Sequence, residues 1–161
     1  MLRLIPAPLH RLAYRAASAL RARWRRWLKI PVQGTRVIGF DEAGRIALVR
    51  LSFGPSGWSL PGGGLGRRED PIAGAAREFR EETGCTLAEP VFFSISEETS
   101  HGAPNRVHLV AGQAHGRPRA DGREVLEVAF FAPDALPDAI SARLRADLPG
   151  WITAARAAGR R

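Results

Sequence analysis

The chain is poor in anything that could staple it from outside its own core. Among 161 residues there is one cysteine, Cys85, so neither an intrachain disulfide nor a zinc cluster is possible. That is consistent with a reducing, cytoplasmic setting. No run approaches the roughly 18 apolar residues of a membrane span. Acid is missing altogether from residues 1–30, which carry eight of the 24 Lys and Arg. The other 131 residues hold 16 basic and 16 acidic groups and are formally neutral. The net charge of +8 therefore describes a basic arm on a neutral domain and does not by itself mark a nucleic-acid-binding domain. Arginines interrupt the apolar positions of the arm, which excludes a secretory signal.

What the arm does have is a period. Leu9, Leu12, Ala13, Ala16, Leu20, Trp24 and Trp27 recur at three- and four-residue steps, which predicts an amphipathic helix over residues 8–28. Most arginines fall off that stripe. Such a helix can pack its stripe on the domain, lie on an anionic membrane surface or offer phosphate contacts to RNA. A peripheral membrane location is the alternative to a purely cytoplasmic one. The Arg- and Ala-rich, acid-free composition also resembles a mitochondrial presequence. We divide the chain into residues 1–33, helix and linker, and residues 34–161, a single domain large enough for its own core.

Within the domain, Arg36–Phe40 and Arg45–Leu51 read as a hairpin around Asp41-Glu42-Ala43-Gly44, after a linker from Pro31 to Thr35. Trp58–Leu60 is a short strand running into Pro61 and three glycines. Asp70, Pro71 and Gly84 are start and stop signals for a helix over residues 71–83. Strands are expected at Val91–Ser96, Arg106–Ala114 and Val125–Phe131, with a polar loop over Glu97–Asn105. A second helix is expected over Pro137–Leu148. This order argues for an α/β sandwich with a mixed sheet.

The helix over 71–83 carries the chemistry. On a wheel of 100° per residue, Ile72, Ala75, Ala76, Phe79 and Thr83 cluster on one face, which packs on the sheet. Glu78, Glu81 and Glu82 fall together on the other side. Like charges at these spacings cost about 0.2–0.5 kcal/mol per pair, and the helix C-terminus disfavours anions further. Arg77, at i, i+4 to Glu81, can offset this. So can a bound divalent cation, for which an all-oxygen donor set suits Mg²⁺ or Mn²⁺. A solvated acidic face is the plain alternative. The preceding glycines, Gly62 to Gly64, let a backbone approach a ligand closely, but they lack the Lys-Ser/Thr of a P-loop.

Taken together, Gly63, Glu69, Arg77-Glu78-Phe79, Glu81-Glu82 and Gly84 at these spacings resemble the Nudix box. By residue frequencies a chance match is on the order of one in a million. Cys85 stands where the family usually has an aliphatic residue, and a small buried hydrophobe is tolerable there. Trp58-Ser59-Leu60-Pro61 before the box and Phe130-Phe131-Ala132-Pro133 after it also look like the family, and the resemblance covers about residues 34–148. It implies a Nudix-type α/β/α sandwich and a Mg²⁺- or Mn²⁺-dependent hydrolase. The scissile bond would be a phosphoanhydride in a nucleoside diphosphate linked to another group, most simply in a nucleotide pyrophosphohydrolase. The alternatives are an enzyme acting on RNA 5′ ends and a Nudix-like binding module without catalysis. The resemblance also implies catalytic and metal-binding roles for Glu78, Glu81 and Glu82, with the Gly63 carbonyl as a further metal ligand. Many members of that family add a late-loop glutamate as a metal ligand, for which Glu124 is the first candidate here and Glu127 the second. Arg77 and Glu69 are implied to be structural.

For the substrate, Arg106 and His108 share a strand face, and Trp58 can stack on a base. A solvated strand edge and a core aromatic are the plainer roles for these residues. Arg67, Arg68, His101, Glu97 and Glu98 are weaker candidates. No signature of the kind that marks ADP-ribose or coenzyme A subgroups follows the box.

Overall fold

A computed structural model describes residues 32–160 except 53–56, 101–102 and 123. The helix expected over residues 8–28 lies outside the described residues, as does His101. The order is β1 (Val32–Phe40), β2 (Ile46–Leu51), β3 (Trp58–Ser59), α1 (Pro71–Thr83), β4 (Thr86–Ser100), β5 (Ala103–His115), β6 (Val125–Phe131) and α2 (Ala142–Ala158).

The strands form one mixed sheet. β1 meets β2 in the expected antiparallel hairpin, then runs parallel to β5 in continuous register from Val32↔Asn105 to Phe40↔Gln113. β4 pairs antiparallel with β5 and forms one end of the main path, while β2 pairs with both β3 and β6. Beyond the hairpin, the segment after β3 lies against β1. Val37 donates to the Pro61 carbonyl and Thr35 to that of Gly63, both at 2.8 Å. The linker expected to end at Thr35 is strand from Val32, because this segment and β5 supply partners for its backbone.

Each face of the sheet carries one helix. α1 covers Val37, Ala47 and Val110 with Ala75 and Phe79. α2 covers Ile38, Ile46 and Leu48 with Leu144, Leu148 and Ile152. The layers are therefore helix, sheet, helix. α1 has the predicted bounds, and both its caps act as expected. The Asp70 side chain accepts from the Ile72 and Ala73 amides, and Gly84 takes the left-handed conformation at φ 73°.

Three expectations fail at element ends. α2 does not end at Leu148 but runs to Ala158 through Pro149, beginning only after the Ser141 cap. Proline removes one helical donor. The buried stripe Leu144, Leu148, Ile152 and Ala155 outweighs that loss by keeping both halves on the sheet. The polar loop over 97–105 is strand except for two residues outside the description, because Glu97 and Glu98 pair across with Arg106 and Asn105. β4 likewise begins five residues early. It absorbs Pro90 in a bulge between Ala88 and Val91, with Glu89 at φ 48°.

Candidate active site

The glycine loop and the polar side of α1 face each other. Gly62 sits at φ 148°, and a Cβ there would overlap the Thr35 carbonyl, so glycine is required by both conformation and space. Its amide donates to Glu82 Oε2 at 2.9 Å. One turn earlier on α1, the Glu78 carboxyl lies against Gly63, where a Cβ would come within 2.5 Å of it. Two of the three predicted glutamates are thus directed to one loop. Glu81 is not. Its side chain is largely exposed and lies 3.5 Å from Arg77.

Arg77 ties the motif together. It donates to both oxygens of Glu69 (2.9 and 3.1 Å), to Glu78 at 2.7 Å and to the Gly64 carbonyl at 3.4 Å. Glu69 also accepts from the Gly66 amide at 2.7 Å. Arg77 and this amide hold the Glu69 carboxyl down at about 2, and its carboxylate partners raise Arg77 in turn. The structural role expected for this pair corresponds to these bonds.

Glu82 is the strained group. Burial pushes its carboxyl up to about 8, and the charges of Glu78 and Glu124 add to the rise, while the Gly62 amide and Arg36 act against it. Glu124 is therefore within electrostatic reach of Glu82. Glu127 instead forms an ion pair with Arg50 across β2 and β6, so of the two late glutamates Glu124 is the one beside the cluster. The Gly63 carbonyl already accepts from Thr35, leaving one lone pair for any other role. Among the described residues, no three carboxylate, imidazole or thiol groups close into a ready cation cage. The donor chemistry nevertheless fits a hard cation. It is all oxygen, on successive turns of one helix, and an added positive charge would favour the ionised form of Glu82.

The expected substrate residues do not converge. Trp58 is half-buried, with its ring edge-on to Phe131 at 5.0 Å, and lines a cleft of about 240 Å³ on the α2 side. Arg36, Ser59, Glu98, Arg143 and Trp151 line the same cleft. Arg36 binds Glu98 through two nitrogens, at 3.1 and 3.3 Å. Arg36 thus borders the cleft while its charge reaches Glu82. Arg106 and His108 lie on the opposite face, Arg106 exposed beside Glu97 and His108 half-buried against Phe92. Burial, with the nearby Arg106 charge, lowers the His108 pKa. Sequence reasoning placed Gly62 in a loop that nears a ligand, without a partner for its amide, and missed Arg36 and the cleft. The glycine run pointed to the first. The other two depend on which strands become neighbours.

Residues 31–151 match the family model for the NUDIX domain. An RNA pyrophosphohydrolase of Acidiphilium cryptum (strain JF-5) is 38% identical over 80 residues, 47% of this chain and 48% of that protein. The chain thus spans about half the length of the curated relative it matches. Among solved structures, the MutT NUDIX hydrolase from Burkholderia pseudomallei is 24% identical, with a TM-score of 0.65 over 74% of this chain and 97% of that one. The MutT protein from Methanosarcina mazei Go1 is 21% identical, with a TM-score of 0.66 over 75% and 93%. A UDP-X diphosphatase is 20% identical, with a TM-score of 0.65 over 82% and 65%. At these identities the likeness to the solved structures is one of fold.

Proposed function

Since the chain belongs to the NUDIX domain family, we propose that it is a divalent-cation-dependent pyrophosphohydrolase that cleaves a phosphoanhydride bond in a nucleoside diphosphate linked to another group. The observation that carries this reading is the approach of Glu78 and Glu82 to the Gly62–Gly63 loop. A non-catalytic binding module has no need for such clustered carboxylates.

Glu78 and Glu82 would hold Mg²⁺ or Mn²⁺, with Glu81 and Glu124 beside them and the Gly63 carbonyl as a further donor. When bound, the cation neutralises phosphate oxygens and lowers the pKa of a water. The chain's own residues do the rest. The Gly62 amide fixes one oxygen of Glu82, so this carboxylate is aimed before substrate arrives. Arg77 steers Glu78 through their ion pair, which sets the direction in which the Glu78 carboxylate would meet a cation. A carboxylate of the cluster accepts the proton of the attacking water. Phosphoryl transfer asks for little beyond this positioning and charge neutralisation.

The cleft beside Trp58 is where we place the nucleoside. It offers an aromatic edge and the Arg36–Glu98 pair, one strand away from the carboxylate loop. Arg106 and His108, on the other face, are left for the phosphate chain or for a longer substrate. The RNA pyrophosphohydrolase likeness and the basic arm favour RNA 5′ ends as a second reading. Nucleoside triphosphates and a 5′-triphosphorylated oligoribonucleotide, assayed with Mg²⁺ at two salt concentrations, separate the two. Small-nucleotide cleavage that changes little with salt supports the first reading. A strong RNA preference that collapses as salt rises supports the second. No cleavage of any of them with either metal would count against both.

A further inference from the structure

Three buried side-chain atoms among the described residues have no hydrogen-bond partner: Thr35 Oγ1, His108 Nε2 and Asn105 Oδ1. Two of them are on neighbouring residues. Thr35 on β1 and His108 on β5 are register partners, and both face α1, Thr35 in step with Val37 and His108 in step with Val110. Asn105 falls on the other face by the same alternation. Thr35 is only 3% exposed, so solvent cannot satisfy its hydroxyl. A buried polar group without a partner is rare in a folded protein and asks for a reason. A hydroxyl turns its proton toward whatever acceptor its neighbour offers, and a neutral imidazole offers one unprotonated nitrogen.

We propose that the Thr35 hydroxyl donates to His108 Nε2, which fixes the proton of the neutral ring on Nδ1, and that this Nδ1–H donates to a phosphate oxygen of the substrate. His108 is then a substrate-binding residue and Thr35 a positioning residue behind it. Nδ1 is the nitrogen left for a ligand. It is not among the buried atoms without a partner and bonds to none of the described residues, so it opens to solvent. The ring is flanked on its own face by Phe92, with centroids 6.1 Å apart, and by Ile95, its register partner on β4. Burial and the Arg106 charge lower the His108 pKa, so at neutral pH the ring carries one proton, whose position matters. The place suits a phosphate chain. The Thr35 amide donates to the Gly63 carbonyl at 2.8 Å, and the Glu78 carboxyl lies against Gly63. Gly63, Thr35 and His108 therefore stand in one row across three adjacent backbones, which puts His108 about 10 Å from Gly63 at ordinary strand spacing. That is within reach of a short phosphate chain that starts at the carboxylates. Arg106, two residues along the same face and loosely paired with Glu97 at 3.8 Å, adds positive charge. The identity of the ligand rests on the pyrophosphohydrolase reading, whereas the Thr35–His108 pair does not.

Nitrogen-15 spectra of the full-length chain, labelled at its four histidines, report the tautomer directly, with His108→Gln assigning the signal. Wild type should show a protonated Nδ1 and a bare Nε2 at His108, the reverse of the tautomer that a free histidine side chain favours. Thr35→Val removes the hydroxyl at nearly constant shape and should release the proton to Nε2, and Thr35→Ser should return it to Nδ1. An Nε2–H tautomer in wild type, or an Nδ1–H tautomer that survives Thr35→Val, would overturn the pair. For the ligand, inorganic pyrophosphate added with Mg²⁺ should shift the His108 Nδ1–H signal and leave that of His115, at the far end of β5, in place. No shift at His108 would overturn the phosphate contact even in an active hydrolase. A shift in a chain that cleaves no nucleoside triphosphate would leave this proposal standing and sink the hydrolase reading. Where triphosphates are cleaved, Thr35→Val and His108→Gln should each raise KM about tenfold with a smaller change in kcat, the loss expected of one hydrogen bond to a charged group. His108→Asn, whose amide takes the place of Nδ1, should recover most of that loss. An unchanged KM in Thr35→Val and His108→Gln would overturn the role in substrate binding.

Discussion

At the scale of single residues, the site is a contest between crowded carboxylates and the few groups that offset them. Arg77 is the main one, and its planar fork matters as much as its charge. Arg77→Lys keeps the charge but loses the two-point grip on Glu69, and should lower kcat about tenfold with the fold intact, because a point charge cannot replace a bidentate donor. Steady-state rates beside thermal melting check this, and an unchanged kcat would show that the grip is irrelevant. Glu69 gives a pH prediction. Its carboxyl sits at about 2 in the folded protein against 4.5 when free. The stability it contributes is therefore present above pH 4.5 and lost as the pH falls through about 2. Glu69→Gln should reduce stability at neutral pH, and the difference from wild type should shrink across that window. A difference that grows on acidification would contradict the assignment. The helical period alone put Glu78 and Glu82 on one side. It could not decide that Glu82, and not Glu81, would be buried against a backbone amide. Nor could it separate Glu124 from Glu127, because the partner that occupies Glu127 is Arg50, 77 residues away in sequence.

At the scale of elements, what positions the carboxylates is the seat of α1 on the sheet. Phe79 is fully buried, and its ring fills the space above Gly39, where a Cβ would collide with it. Gly39→Ala should cost about 1–3 kcal/mol of stability through overpacking. Because α1 carries the glutamates, it should also lower kcat more than KM rises. Equal losses in both would mean that the helix had not moved. α1 was legible in the sequence because its caps, its apolar stripe and its acidic side agree with one another. α2 was misplaced because Pro149-Gly150 looks like a stop, and only burial of Ile152 and Ala155 carries the helix past it. The polar ends of β4 and β5 looked like a loop because alternation fades where the sheet extends beyond its core. Their pairing is held by partners that lie far apart in sequence, such as Arg36 with Glu98.

At the scale of the whole molecule, the sheet keeps two jobs apart. The α1 side presents the carboxylates, while the α2 side presents the Trp58 cleft, lined by Arg36, whose charge reaches Glu82. Residues 1–30 lie outside the match to the NUDIX domain, which begins at residue 31. Removing residues 1–30 should leave kcat on a small nucleotide within about tenfold, since every residue assigned to the cation or the substrate lies within residues 34–161. Some loss of solubility is allowed. A larger drop in a still-folded truncation would show that the arm builds part of the active site. The central claim is that the α1 carboxylates hold a catalytic cation. Its most direct test is hydrolysis of a nucleotide that wild type cleaves with Mg²⁺ or Mn²⁺. Wild type with either metal is compared with wild type in excess EDTA, and with Glu82→Gln at an unchanged melting temperature. The account predicts that EDTA abolishes turnover and that the variant loses at least about 100-fold in rate. Full hydrolysis in EDTA, or a wild-type rate in the variant, would contradict it.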